Sequence, residues 1–290
     1  MAHVDDEIAS QPECWQRALD LTPKQLPEPG ERVAVVGCGT SLYIAQAYAA
    51  LRESLGLGET DAFAASEFPT ARRYDRVVAL TRSGTTTEVL DALARTRGTE
   101  TVAITADPST PVGEAARHVV ALEFADEESV VQTRFATTAL VLLRAHLGAV
   151  PSDLPEQASR ALTAALPEGA LGAGQFTFLG TGWTCGVAQE AALKVREASS
   201  SWTESYPAME YRHGPISVSG PGSVVWFLGV PPAGLVPQIE RTGARVSVSD
   251  LDPLADLIRA QRLAVRLAVG RGLDPDRPRH LTRSIVLDGS

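Results

Sequence analysis

The chain has 290 residues, of which 44% are hydrophobic and 21% charged, an ordinary globular balance with enough apolar material for two cores. Its formal net charge is −9, and a diffuse negative charge repels nucleic-acid backbones and anionic membrane surfaces. A small phosphate can still bind such a chain through local donors, so loops rich in backbone N–H and hydroxyl groups are the places to look. Cys14, Cys38 and Cys185 are odd in number and far apart, which suggests neither a zinc site nor a disulfide framework. No metal or redox cofactor is indicated. The acidic start Met1–Asp6 lacks the basic and apolar regions of a signal peptide, and no apolar run reaches spanning length, so a cytoplasmic protein is expected.

The first compact apolar run is 32–36, followed by Gly37-Cys38-Gly39-Thr40-Ser41 and an alanine-rich stretch, 42–55, with helical spacing. This predicts strand, tight loop, helix. Short apolar or β-branched runs at 62–65, 76–80, 101–105 and 119–122 predict further strands, with a helix at 86–96 between two of them. Alternating strands and helices imply an α/β domain with a parallel sheet covered on both faces. A helix over 126–146 closes this half, and the proline-bearing stretch 148–155 reads as a linker. The pattern then restarts: strand at 175–179, loop Gly180-Thr181-Gly182, helix at 184–199, strands at 223–228 and 244–248, and an amphipathic helix at 253–269. Two domains, 1–150 with a short helical lead and 151–290 with a closing tail, are therefore expected. Gly37-Cys38-Gly39 aligns with Gly180-Thr181-Gly182, and Ala45-Gln46 then falls on Ala188-Gln189, the mark of a weak internal repeat.

Two loops of the first half suit a phosphate. In the first, Gly39 lets the backbone approach a ligand, the helix start offers unpaired N–H groups, and Thr40 and Ser41 add hydroxyls. A dinucleotide fingerprint would place a third glycine where Leu42 stands, and no Gly-Lys-Ser/Thr occurs, so a nicotinamide oxidoreductase and a P-loop are disfavoured. A plain capped strand-to-helix turn fits this loop equally well. The second loop, Thr81-Arg82-Ser83-Gly84-Thr85-Thr86-Thr87-Glu88, carries five hydroxyls, whereas one cap needs only one. Here Thr85 with Glu88 also fits a capping box, and Arg82 suits either an anion or solvent.

Five stretches together carry a family resemblance: 37–41; 81–88; 128–138; 192–215, which reads ALKVREASSSWTESYPAMEYRHGP; and 274–284, which reads DPDRPRHLTRS. On these residues the chain resembles the sugar-isomerase (SIS) family, and within it the isomerase half of glucosamine-6-phosphate synthase and its stand-alone relatives. The resemblance implies two tandem doubly wound, flavodoxin-like domains with five-stranded parallel sheets. It implies a sugar-phosphate substrate, with Thr81, Arg82, Ser83 and Thr86 in the phosphate loop, Gly39, Thr40 and Ser41 at the sugar and phosphate, and Val130 and Gln132 along the sugar ring. Glu197 matches the proton-shuttling base, and Lys194 lies one helical turn earlier. His213 matches a ring-opening histidine that in this family reaches over from the partner subunit, so a homodimer is implied.

The chemistry needs such groups. Ring opening calls for an acid–base group that works near neutrality, and moving a proton between C1 and C2 through an enediol calls for a positioned carboxylate. Arg283 stands where the family's closing motif carries a lysine that can form an imine with a keto sugar. A guanidinium stays protonated and is a poor nucleophile, so Arg283 is restricted to acting as a fixed cation. Deamination of an amino-sugar 6-phosphate needs no such imine, and the leading expectation is an aldose–ketose isomerase or deaminase acting on an amino-sugar 6-phosphate, with a fructosamine-phosphate deglycase and a non-catalytic phosphosugar-binding regulator as alternatives. The region before Arg32 is too short for a glutaminase domain, and the stretch 250–254 is shortened relative to the family, which bears on the last strand of the second sheet.

Overall fold

The structure is a computed structural model that describes residues 2–69, 71–96 and 98–287. The chain runs α1 (His3–Ala9), α2 (Gln11–Leu19), β1 (Val33–Gly37), α3 (Thr40–Ser54), β2 (Thr60–Ala64), β3 (Arg76–Leu80), α4 (Thr87–Ala94), β4 (Glu100–Thr105), α5 (Val112–Ala115), β5 (His118–Ala121) and α6 (Arg134–His146). It continues with α7 (Leu154–Thr163), β6 (Gln175–Gly180), α8 (Thr184–Ser199), β7 (Thr203–Pro207), β8 (Ser223–Phe227), α9 (Leu235–Glu240), β9 (Arg245–Ser247) and α10 (Pro253–Gly270). Two compact units result, and their division does not fall at one point of the chain. Residues up to Pro12 and 128–133 group with 151–281, while the segment from Thr282 groups with 13–127 and 134–150.

The first sheet is wholly parallel, in the order β2-β1-β3-β4-β5. Val33 pairs with both Thr60 and Arg76, which puts β1 between β2 and β3. All five residues of β1 are buried, as a strand covered on both faces requires. Chain order reverses direction between β1 and β3, and such a switch point opens a crevice at the carboxyl ends of the strands. Both hydroxyl-bearing loops, 37–41 after β1 and 81–86 after β3, leave the sheet there.

The second sheet has four strands among the described residues, in the order β7-β6-β8-β9, rather than the five the resemblance implied. It stops at β9, three residues long, because the chain passes from Ser247 through 248–252 straight into α10. Asp252 caps that helix by accepting from the Leu254 N–H at 2.9 Å. The strand β7 was not expected: its sequence, TESYP, is polar and ends in proline, and an edge position tolerates both.

The two sheets share the order 2-1-3-4 and one glycine device. A Cβ on Gly37 would lie 2.7 Å from the backbone carbon of Ser41, and one on Gly180 would lie 2.2 Å from the Thr184 carbonyl oxygen. Two residues on, Gly39 and Gly182 both turn the chain at positive φ, 54° and 59°. Each central strand thus enters its helix through a turn that no side chain fits.

The helix expected over 126–146 begins only at Arg134. The buried Glu7 carboxylate, on α1, accepts from the backbone N–H of Glu128 and Ser129 and from the Ser129 hydroxyl, which holds this stretch as a loop. Glu127 accepts from the Arg134 N–H at 2.8 Å and so caps α6 where it starts. The proline-bearing stretch after Gly148 ends in α7, with Pro155 in its first turn, where a missing N–H costs nothing.

The glycine device yields a stability prediction. Gly180→Ala forces a backbone shift and lowers stability by about 1–3 kcal/mol in urea unfolding, whereas Gly172→Ala, with open space around its Cβ, leaves it within about 0.5 kcal/mol.

Candidate active site

In the first-sheet unit the loop after β3 is shaped by Gly84. Its φ is +64°, and a Cβ there would lie 1.9 Å from the Thr110 hydroxyl oxygen. The Thr81 hydroxyl accepts from the Gly84 N–H at 3.2 Å and ties the loop to itself. The capping-box alternative does not form: Thr86 is the N-cap of α4 and makes no side-chain cap bond. The hydroxyls converge instead on one point, which the closing segment of the chain occupies. The Ser284 hydroxyl lies 3.2 Å from that of Ser83, 2.9 Å from that of Thr85 and 3.4 Å from that of Thr86. The Thr87 N–H, first of the helix, donates to the carbonyl of Ile285 at 3.2 Å. A serine hydroxyl and a carbonyl oxygen thus sit among four donors at a helix N-terminus, the arrangement that suits an anion with several oxygens.

Arg82 lies beneath this loop rather than on it. Its guanidinium is 1% exposed, pairs with the fully buried Glu127 carboxylate at 3.5 Å, and donates to the Arg283 carbonyl at 3.2 Å. It acts on the closing segment and on α6 through these bonds. The Arg283 side chain is half-exposed and donates to Asp126 at 2.6 Å. In the loop after β1, Thr40 and Ser41 are buried behind Gly39. Burial and the charge of Glu88 push the Cys38 thiol up from its ordinary range, so it stays a thiol at neutral pH and is no nucleophile.

In the second-sheet unit, Lys194 and Glu197 share one face of α8. The ammonium lies 2.5 Å from Glu197 and 3.5 Å from Glu190, one turn earlier on the same helix. Lys194 and Glu190 are each 1% exposed, whereas Glu197 keeps 19% of its side chain accessible. The cation is therefore anchored inside, and Glu197 is the member of the group that reaches the surface. Sequence reasoning missed Glu190; its signal was the i, i+4 spacing to Lys194 on a helix otherwise rich in alanine. The segment 128–133 comes to the same region. Val131 and Thr133 share with Lys194 and Gln261 the wall of a cavity of about 10 Å³, room for about one water. Val130 donates its N–H to the carbonyl of Asp276 at 3.0 Å. The side-chain oxygen of Gln132 is buried and accepts no bond among the described residues. His213 ends a 3₁₀ turn, Glu210–His213, and is exposed. Among the described residues no cluster of histidine, cysteine or carboxylate side chains could hold a metal ion, and no helix is long and apolar enough to cross a membrane.

Residues 28–147 match the family model of the SIS domain. This stretch is a SIS domain. The match covers the first parallel sheet together with both of its hydroxyl-bearing loops. The chain is similar to the glutamine–fructose-6-phosphate aminotransferases (isomerizing) of Methanothermobacter thermautotrophicus, 29% identical over 89% of this chain and 52% of the relative, and of Gloeobacter violaceus, 27% identical over 89% and 52%. It thus spans about half the length of the curated relatives it matches. Among solved structures it is similar to glucosamine-6-phosphate deaminase from Thermotoga maritima, with a TM-score of 0.81, 26% identity and coverage of 99% of this chain and all of the other. Tagatose-6-phosphate ketose/aldose isomerase from Escherichia coli shares the fold, with a TM-score of 0.76 at 17% identity. Beyond this stretch the chain shares the fold of these structures over nearly its whole length.

The Arg82–Glu127 pair under the SIS-domain loop yields a second stability prediction. Arg82→Met strands a buried carboxylate and costs about 3–5 kcal/mol in urea unfolding. Adding Glu127→Gln restores part of this, because the stranded charge is gone while the amide oxygen can still accept from the Arg134 N–H.

Proposed function

We propose that the chain is a phosphosugar isomerase that deaminates an amino-sugar 6-phosphate. The observation that carries this reading is the convergence of the Ser83, Thr85 and Thr86 hydroxyls at the head of α4, none of which caps that helix. In this reading three phosphate oxygens take the place of the Ser284 hydroxyl and the Ile285 carbonyl. Thr40 and Ser41 complete the sugar and phosphate contacts, and Val130 and Gln132 contact the ring. The half-length relation to the aminotransferases and the full-length similarity to a glucosamine-6-phosphate deaminase support it.

The reaction balances without a redox partner. His213 opens the ring by moving the proton of the C1 hydroxyl to the ring oxygen. Glu197 takes the proton from C2 and returns it to C1, which turns the amino aldehyde into a C2 imine with a hydroxyl at C1. Water then adds at C2, and ammonia leaves as the keto-sugar phosphate forms. Lys194, fixed by Glu190, places a cation beside the carboxylate that moves the proton. Arg283 serves as a fixed cation paired with Asp126, since a guanidinium forms no imine.

The second sheet, which repeats the order and the glycine device of the first, is read as a second SIS domain. The chain is read as a homodimer in which His213 serves the partner subunit. His213 is exposed, and Met209, at the start of the same 3₁₀ turn, is 50% exposed, an apolar side chain that a second copy would cover. Cytoplasmic amino-sugar metabolism is the matching setting.

The test is an assay of ammonia and keto-sugar phosphate with glucosamine 6-phosphate as substrate. The expected result is equimolar formation of both, reduced about 10²–10⁴-fold by Glu197→Gln. Saturable binding without product would overturn the catalytic reading while leaving phosphosugar recognition in place.

A further inference from the structure

The sheet of the SIS domain has a second concave region at the amino ends of β3 and β4, the opposite end from the hydroxyl-bearing loops. A cavity of about 500 Å³ lies there, within the usual size of small-ligand pockets. The stretch that leads into β3 lines it with Arg72 and Arg73, and the link from α4 to β4 lines it with Arg95 and Thr99. Phe68 and Tyr74, which belong to the buried core of this unit, form its floor.

Three guanidinium groups thus line one crevice in a chain of net charge −9, and among the described residues no carboxylate lines it. Arg72 is held in place from behind. Asp61 accepts from its guanidinium at 3.2 Å and from the Tyr74 hydroxyl at 2.6 Å, and the Arg72 guanidinium lies 5.7 Å from the centre of the Phe63 ring. Arg95 commits only its Nε, to the Asp91 carbonyl at 3.1 Å, and keeps its two terminal nitrogens. The Arg73 side chain makes no hydrogen bond or ion pair among the described residues. The carbonyls that end α4 are taken up locally: Asp91 and Ala92 accept from the Arg95 N–H, and Leu93 accepts from the N–H and the hydroxyl of Thr96. They therefore do not use up the free guanidinium donors. Like charges gathered on one wall repel, and an anion that bridges them removes the repulsion and gains forked, charge-assisted hydrogen bonds. Guanidinium groups that arrive from two segments, around a cavity of this size, suit two linked phosphates better than one.

We propose that this crevice binds a diphosphate group, either free or carried by a nucleoside. The site lies at the far end of the sheet from Ser83–Thr86 and does not depend on the reading given for that loop.

The test is calorimetric titration of the protein with pyrophosphate, ADP and inorganic phosphate at constant ionic strength without divalent cations. The expected result is saturable binding of pyrophosphate or ADP, about tenfold or more tighter than that of phosphate. Arg73→Gln/Arg95→Gln, at two exposed positions, is expected to weaken it about tenfold or more while the thermal unfolding midpoint stays unchanged. Ser83→Ala/Thr86→Ala is expected to leave it as it is. Tighter binding of ADP than of pyrophosphate supports the site and assigns it to a nucleotide; the reverse order supports it and assigns it to the free anion. Absence of saturable binding by both overturns the proposal. So does binding no tighter than that of phosphate, binding that survives Arg73→Gln/Arg95→Gln, or binding that is lost with the SIS-domain hydroxyls.

Discussion

The buried pair of Arg82 and Glu127 is the constraint on which the candidate phosphate loop depends. Two charges in an interior are costly unless every lone pair and donor is placed, and here each partner does further work. Glu127 receives the first N–H of α6, so the carboxylate that balances Arg82 also fixes where that helix begins. Arg82 holds the Arg283 carbonyl, so the same guanidinium fixes the closing segment. From that anchor the next residue brings its hydroxyl to Ser83, Thr85 and Thr86, and the one after it caps α4 through its carbonyl. Loop, helix start and closing segment are one hydrogen-bonded assembly with a charged pair at its base.

On the proposed reading, this arrangement lets a chain of net charge −9 take a phosphate. The donors are neutral hydroxyls and backbone N–H groups at a helix head, so anion binding needs no basic surface. The cations are committed elsewhere: Arg82 to Glu127, Arg283 to Asp126, and Lys194 to Glu190 and Glu197. Ser284 and Ile285 supply oxygens to the donors of this loop, which keeps them satisfied at a partly buried site.

The alternation of strands and helices was legible in the sequence because parallel strands buried on both faces read as short continuous apolar runs. Arg76–Leu80 and Thr184–Ser199 fall where periodicity and turn residues put them. The hydroxyl-rich loop was legible as an excess over what one cap requires. Other features depended on partners far along the chain. The stretch after Asp126 has helical composition, yet Glu7, more than a hundred residues away, takes its backbone donors. The polar strand β7 is stabilised by pairing with β6, and its own residues carry no alternating pattern. Arg82 reads in sequence as a loop cation open to an anion, and only the fold shows Glu127 beneath it. Whether Ser284 meets the loop is likewise invisible in sequence, since about two hundred residues separate them.

The central claim is that the Ser83–Thr86 hydroxyls and the head of α4 form the phosphate site. A crystal structure with glucitol 6-phosphate, an open-chain phosphosugar that cannot isomerise, tests it most directly. The account predicts phosphate oxygens within hydrogen-bond distance of the Ser83, Thr85 and Thr86 hydroxyls, with the Ser284 hydroxyl displaced from their midst and the Arg82–Glu127 pair intact. A phosphate bound elsewhere, with Ser284 still among those hydroxyls, would contradict it.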